Sequence, residues 1–238
     1  MLVLGPLLSG CGGERIDGIR LLQMSPAPVI AAQAGDNDAV HLGVSLTGAG
    51  GRSVAPPVTV PDVGSLALGT PTNGGLANGL QLPATGPDWV SWNSVLRRVP
   101  NGPERRWATD RLLAFLLAVL RDYRLANPGA PQIVVGDLSR PGGGPFGSEY
   151  GGLGHRSHQN GLDVDVYYPR LDRTLQPPGS VADVDRALAQ DLVSRFVAAG
   201  AQFTFVGLHV GLGGPAGVVQ AIDHHDDHVH VRIANIGR

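Results

Sequence analysis

The sequence predicts an α+β domain in which a small antiparallel sheet, with flanking helices and long loops, carries a metal site. Short alternating apolar segments predict strands, and two longer segments have helical periodicity. Gly and Pro contribute 35 and 19 of the 238 residues, which indicates many loops. Six of the eight histidines fall in two short segments that also hold aspartates. Histidine and carboxylate clusters of this kind are typical of divalent metal sites.

The chain is predicted to have three parts: residues 1–11, 12–74 and 75–238. The first ends in Leu7-Leu-Ser-Gly-Cys11, which resembles the lipobox of bacterial lipoprotein signal peptides. It predicts export to the cell envelope with a lipid anchor at Cys11, although an incidental cysteine in an apolar N-terminus is the alternative. Residues 12–74 are rich in Gly, Pro, Ser and Thr and are expected to form a partly disordered leader, with short strands such as 40–46. The folded domain is expected to begin at 75.

The elements of that domain follow in order along the chain. A first helix is expected to open at 103–107, to run along an apolar face that includes Leu112, Leu116 and Leu120, and to end at 127–129. A short buried strand at 132–135 leads into the glycine-rich loop 136–145. A second helix is expected over 182–199, with Ser180 as its N-cap and Gly200 just after its end.

Three further strands are expected at 162–167, 203–206 and 228–233. In the first, alternation places Asp163 and Asp165 on the same face. In the last, it places His228, His230 and Arg232 on one face. These two strands carry most of the candidate site.

A hydrolytic zinc site needs three protein ligands and one open position. His158 in a glycine-flanked loop, Asp165 on the next strand and His230 on a second strand can supply them. Two imidazoles and one carboxylate suit one zinc ion per chain better than magnesium. In the pair His228-Val-His230 one ring can bind the metal while the other faces the substrate. An isolated His-X-His motif is more often a surface feature than a metal site. Two histidine segments with nearby carboxylates indicate a metal site far more specifically.

The two segments resemble the penicillin-insensitive murein endopeptidases, within a wider group that includes lysostaphin, the D-Ala-D-Ala metallopeptidases and the hedgehog signalling domain. The resemblance rests on Gly154-His-Arg-Ser-His-Gln-Asn-Gly-Leu-Asp-Val-Asp165 and Asp227-His-Val-His-Val-Arg232, with Gly136-Asp-Leu-Ser-Arg-Pro upstream. It covers roughly the last 160 residues. The chain lacks the cysteines that form the disulfides of better-known members, and the leader has no counterpart.

The resemblance implies zinc ligands at His158, Asp165 and His230, a catalytic histidine at His228, and two further active-site histidines at His155 and His225. It also implies hydrolysis of D-alanyl–meso-diaminopimelyl cross-links in peptidoglycan stem peptides. The alternatives are a D,D-carboxypeptidase or dipeptidase of the same group, and a metal-bearing cell-wall binding module without turnover. A net charge of −2 argues against nucleic acid as a partner. The oligomeric state is left open.

Several other side chains carry weaker expectations. Asp163 either orients a ligand histidine or is a solvated strand residue. Asp226 and Asp227 either orient the neighbouring His228 or are solvated. Ser139 and Arg140 shape either the cleft or a turn. His41, His209 and His224 have no assigned role, and the three tryptophans, Trp89, Trp92 and Trp107, are expected in the core.

Overall fold

The computed structural model describes residues 56–150 and 155–237. Cys11 and the strand expected over 40–46 lie outside the described residues. The strands are β1 (Leu66–Thr70), β2 (Asn73–Ala77), β3 (Leu80–Gln81), β4 (Trp89–Ser91), β5 (Trp107–Ala108), β6 (Ile133–Val135), β7 (Asp163–Tyr167), β8 (Phe203–Gly207), β9 (Val219–Ile222) and β10 (His228–Arg232). The helices are α1 (Asp110–Ala126) and α2 (Arg186–Ala198).

Six of these strands form one sheet in the order β4-β6-β7-β10-β8-β9. The α+β class is confirmed, but the sheet is larger than expected and mixed. Its central pairs, β6–β7, β7–β10 and β10–β8, are antiparallel. The outer pairs, β4–β6 and β8–β9, are parallel because a crossover connects each of them.

The first helix begins later than the sequence predicts. Pro103–Arg105 form a single 3-10 turn, and β5 pairs with β3 before the helix starts. Thr109 is the N-cap, and its Oγ1 accepts a hydrogen bond from the Leu112 amide at 3.1 Å. The predicted end is confirmed, since α1 stops at Ala126.

The second helix is also shorter than predicted at its start. Ser180 caps a 3-10 turn over Val181–Asp183, whereas Asp185 caps α2 by accepting from the Leu188 amide at 3.2 Å. The expected residue after the helix is confirmed: Gly200 has a φ of +95°, a conformation that glycine adopts at no steric cost.

The main core lies between the helices and one face of the sheet. Leu112, Leu116 and Leu120 of α1 are fully buried, as is Phe196 of α2. Their rings and methyl groups pack with the valines of the two central strands, which are Val164, Val166, Val229 and Val231. Because these valines alternate with polar residues, the polar side chains of β7 and β10 lie on the opposite face.

A hairpin of β1 and β2 closes over the loops beside that polar face. The Leu76 amide donates to the Gly142 carbonyl at 2.8 Å, and the Gln159 amide donates to the Pro71 carbonyl at 3.1 Å. The hairpin spans residue 75, the expected start of the domain, and that boundary stays a prediction. Neither helix in the described ranges has the length and apolar character needed to cross a membrane.

Candidate metal centre

The two central strands bring the two histidine segments together. In the antiparallel register of β7 and β10, His230 lies opposite Asp165 and Arg232 lies opposite Asp163. The intervening valines pack into the core, so all four of these side chains project from the polar face. This register joins residues that are 65 positions apart in the sequence.

Asp165 is the centre of the cluster. Its Oδ1 lies 3.2 Å from His158 Nε2 and 3.1 Å from His230 Nδ1. His228 Nε2 is 3.7 Å from the same oxygen, and His155 Nδ1 is 3.7 Å from Oδ2. Four imidazoles therefore surround one buried carboxylate.

Protein acceptors hold the far nitrogens of two of these rings. His158 Nδ1 lies 3.1 Å from the Leu138 carbonyl, and His230 Nε2 lies 2.7 Å from Asp163 Oδ1. A carbonyl and a carboxylate only accept, so both nitrogens carry a proton. The opposite nitrogen of each ring then points at Asp165, which is the arrangement that ligand histidines need. The structure thus decides the role of Asp163: it orients His230.

Local backbone geometry places His158 in this position. His158 has a φ of +66° and is 1% exposed. A hydrogen bond stabilises the loop after His158, because Ser139 Oγ accepts from the Gly161 amide at 2.8 Å. Ser139 therefore supports the loop and does not line the cleft.

The cluster has the features of a metal site. One nitrogen each of His155 and His158 and one oxygen of Asp165 lie within 4.8 Å of one another, a grouping that can hold a metal ion. His158 Nε2 and Asp165 Oδ1 are buried and have no hydrogen-bond partner among the described residues. Buried polar atoms without a partner are costly, and a bound cation would satisfy both.

The electrostatics of the cluster favour a positive charge at its centre. Burial raises the pKa of Asp165, but the imidazoles of His158 and His228 outweigh burial and hold that pKa well below its usual range. Burial lowers the pKa of His230, whereas Asp163 and Asp165 raise it to about 9. At His158, burial outweighs the opposing effect of the Asp165 carboxylate and lowers the pKa. The two carboxylates thus attract a cation, and a metal would have to displace a proton from His230.

His155 is held from the opposite side of the cleft. Its Nε2 donates to Asp137 Oδ2 at 2.7 Å. The Arg105 guanidinium forms a paired contact with the same carboxylate, with Nε 2.7 Å from Oδ1, and Asn101 Nδ2 donates to Oδ1 at 2.8 Å. Asp137 and Arg105 are both almost completely buried. This buried network fixes the ring of His155 beside Asp165.

His228 and His225 form the remaining wall. Asp227 Oδ1 accepts a hydrogen bond from His228 Nδ1 at 2.7 Å, which leaves Nε2 toward Asp165. His225 Nδ1 lies 2.6 Å from the Asp223 carbonyl, and the rings of His225 and His228 are 4.7 Å apart. Asp227 therefore orients His228, one of the two roles expected for it.

The five candidate histidines and the candidate aspartate line one cleft of about 480 Å³: His155, His158, Asp165, His225, His228 and His230. The exposed His224 also lines it.

Asp226 points elsewhere, since its Oδ2 pairs with His209 Nδ1 at 2.6 Å. Arg140 donates to the Pro145 carbonyl at 2.7 Å and stacks on Tyr150 outside the cleft lining. The tryptophans differ: Trp89 is buried in the core, whereas Trp92 and Trp107 are half-buried.

Sequence reasoning assigned no role to Asp137 or Arg105. Asp137 follows the buried strand β6 after a single glycine, which was a usable signal because the loops at strand ends often carry functional polar residues. Arg105 lies in the segment that the sequence predicted as a helix start. Thr72, Phe205 and Ile222 also line the cleft, and nothing in the sequence marks them.

Comparison with known proteins places the chain in a family. A family model for penicillin-insensitive murein endopeptidases matches residues 67–198. The match includes His155, His158 and Asp165 and ends ahead of the second histidine segment. Proteins named penicillin-insensitive murein endopeptidase are similar to part of this chain. They are 31% identical over 139 residues in an Escherichia coli strain, 30% over 141 residues in Escherichia coli O157:H7, and 29% over 134 residues in Klebsiella pneumoniae.

These alignments cover 58%, 58% and 55% of this chain and 44% of each relative. The chain thus matches less than half the length of these curated relatives. The family model nevertheless spans more than half of this chain, over the strands and helices that position the first histidine segment. The chain therefore belongs to the penicillin-insensitive murein endopeptidase family.

Proposed function

We propose that this chain is a zinc metallopeptidase that hydrolyses peptide cross-links of peptidoglycan. The observation that carries the proposal is the single oxygen of Asp165 that lies 3.1–3.2 Å from two imidazole nitrogens at the floor of an open cleft. Both of those nitrogens face the oxygen because a protein acceptor holds the other side of each ring. Family membership and the names of the relatives point to murein as the substrate.

We assign the metal ligands to His158, Asp165 and His230. Donor atoms bound to one tetrahedral zinc ion at about 2.0–2.1 Å lie roughly 3.3 Å apart, close to the two observed separations. His155 is the competing third ligand because it belongs to the same group of nearby donors. Its Nδ1 lies farther away, 3.7 Å from the other carboxylate oxygen. Two imidazoles and one carboxylate with an open position suit zinc.

His158, Asp165 and His230 would hold the zinc ion, which would supply Lewis acidity and lower the pKa of a water molecule. The protein supplies the proton transfers. His228 Nε2 faces the cleft while Asp227 holds the proton on Nδ1. His228 can therefore accept a proton at Nε2 and deliver it to the departing amine.

His155 and His225 flank the reacting amide. The Asp137 carboxylate keeps the Nε2 proton of His155 and directs Nδ1 into the cleft. The Asp223 carbonyl holds His225 Nδ1 in the same way. Each ring thus presents one nitrogen of fixed orientation that can hydrogen-bond to the substrate or to the developing oxyanion.

The bond that we propose is cleaved is the D-alanyl–meso-diaminopimelyl amide between stem peptides. Digestion of purified cross-linked muropeptide dimers, followed by mass spectrometry, tests this assignment. An endopeptidase converts dimers to monomers, and the His158→Ala variant does not. Loss of a terminal D-alanine from an intact dimer would instead indicate a carboxypeptidase. Binding without any change of mass would indicate a cell-wall binding module.

We further propose that the protein is exported and lipid-anchored through Cys11. The lipobox-like residues before Cys11 support this, and murein lies outside the cytoplasmic membrane. Replacing Cys11 with Ser is expected to release the protein from the membrane fraction and to remove the lipid from the mature N-terminus, because stable anchoring depends on attached acyl chains. A wild-type protein that retains residues 1–10 in the cytosol would contradict the anchor.

A further inference from the structure

A second cavity lies on the far side of His228 from the metal cluster. It has a volume of about 370 Å³ and shares no lining residue with the cleft. Two of its lining residues contact His228 directly: the Tyr167 ring, at 5.9 Å between centroids, and the Asp227 carboxylate, at 2.7 Å from Nδ1. A third, Ser94, donates to Asp137, the residue that holds His155. The second cavity therefore adjoins His228 directly and is linked to His155 through Asp137.

Arg97 is the cation of this cavity. It lies in a turn closed by backbone hydrogen bonds between Asn93 and Arg98, and Asn93 Oδ1 accepts the Leu96 amide at 2.7 Å. Arg97 is exposed and has a φ of +50°, a left-handed conformation that is unfavourable for a side chain of this size. Strained residues of this kind are concentrated at functional sites.

The Arg97 guanidinium has no ion-pair or hydrogen-bond partner among the residues that the structure describes. Asp227 is the acidic residue in the cavity wall, but its contact is with His228, not with Arg97. Aromatic and apolar surfaces from Trp92, Tyr167 and Pro177 form other parts of the wall. The cavity thus combines one available cation with a lining that is mainly polar.

We propose that the second cavity is a substrate subsite in which Arg97 binds a free carboxylate of the peptide. The planar guanidinium matches a carboxylate with two parallel hydrogen bonds, which makes arginine selective for that group. The inference rests on the proposed function: in a D-alanyl–diaminopimelyl cross-link, the carbon attached to the scissile nitrogen carries a free carboxylate. A peptide with its amide beside His228 has that anion next to the reacting atoms, and the second cavity adjoins His228 through Tyr167 and Asp227. Arg97 is then a specificity-determining residue.

Arg98 provides a matched control. It is the next residue in the same turn, it is also exposed, and it does not line the cavity. Replacing either arginine with Gln removes the same charge from the same loop. General attraction of an anionic peptide would therefore weaken equally in both variants, whereas a specific subsite would respond only to Arg97.

Calorimetry of the zinc-loaded full chain with an acceptor stem peptide tests the proposal. The peptide carries the diaminopimelyl carboxylate either free or as an amide, and it has no cross-link to cleave. We expect wild type and Arg98→Gln to bind the free acid at least about 10-fold more tightly than the amide, as a charged hydrogen-bonded pair implies. Arg97→Gln is expected to lose this preference, and Arg97→Lys to retain part of it. No preference in wild type, or equal losses in Arg97→Gln and Arg98→Gln, would overturn the subsite.

Cleavage of matched dimers separates this result from the proposed function. Wild type that cleaves free-acid and amidated dimers with equal kcat/KM would overturn the subsite while the endopeptidase assignment stands. An Arg97-dependent binding preference in a protein that cleaves no dimer would support the subsite and refute the endopeptidase. Because Arg97 is exposed, unchanged thermal unfolding of its variants is expected.

Discussion

Asp163 fixes the ring of His230: its Oδ1 lies 2.7 Å from His230 Nε2, on the side away from Asp165. The same oxygen accepts a hydrogen bond from Arg232 Nε at 2.6 Å. Arg232 lies directly opposite Asp163 in the register of β7 and β10. The buried carboxylate is therefore held in place from one side while it orients a proposed zinc ligand on the other.

Replacing Asp163 with Ala is expected to weaken zinc binding on the order of 10- to 100-fold, because the ring of His230 loses the partner that sets its tautomer and direction. Competition with a chromophoric chelator measures this change. Asp227→Ala is the matched control, since Asp227 orients His228, which we do not assign as a ligand. Equal zinc affinity in the Asp163→Ala variant and wild type would show that Asp163 has no such role.

His228→Ala is expected to keep its zinc and to lose on the order of 10²-fold or more in kcat on muropeptide dimers, because a proton-transfer group is removed. Asp227→Asn should lower kcat less, since it disturbs the orientation of His228 without removing the ring. Metal analysis is run beside the kinetics. A correctly folded His228→Ala protein without zinc would mean that His228 is the metal ligand and His230 is the proton-transfer group.

Asp137→Ala is expected to reduce the free energy of unfolding by about 3–5 kcal/mol, because it leaves the buried Arg105 guanidinium without its counter-charge. Urea denaturation measures this loss. His155→Ala is the control: it removes one partner of Asp137 and leaves the Arg105 pair intact. A loss in Asp137→Ala no larger than that in His155→Ala would indicate that the Arg105–Asp137 pair contributes little to folding.

The composition of the site was predictable from the sequence because alternation along a strand is a local property. Asp-Val-Asp-Val-Tyr and His-Val-His-Val-Arg each place their polar residues on one face without reference to the rest of the chain. The pairing of His230 with Asp165 was not predictable in the same way. It depends on the register between distant strands, which the packing of both valine faces into the core determines.

The errors have tertiary causes. Residues 103–109 have the composition of a helix start, but β5 pairs with β3 and the buried Arg105 side chain pairs with Asp137. These contacts keep the segment out of the α-helix until Thr109 caps it. The edge strands β4 and β9 are three and four residues long, too short for a periodic pattern to reveal them. The network around Asp137 joins residues far apart in sequence, so no local motif marks it.

The ligand set is best tested by measuring the zinc content of five purified alanine variants beside wild type, using plasma mass spectrometry. The assignment predicts about one zinc per chain in wild type, His155→Ala and His228→Ala, because those two rings contact the cluster without binding the metal. It predicts a sharp loss in His158→Ala, Asp165→Ala and His230→Ala, each of which removes one of three protein ligands. Stoichiometric zinc in all three of these variants, or loss of zinc in His155→Ala with retention in His230→Ala, would contradict the assignment.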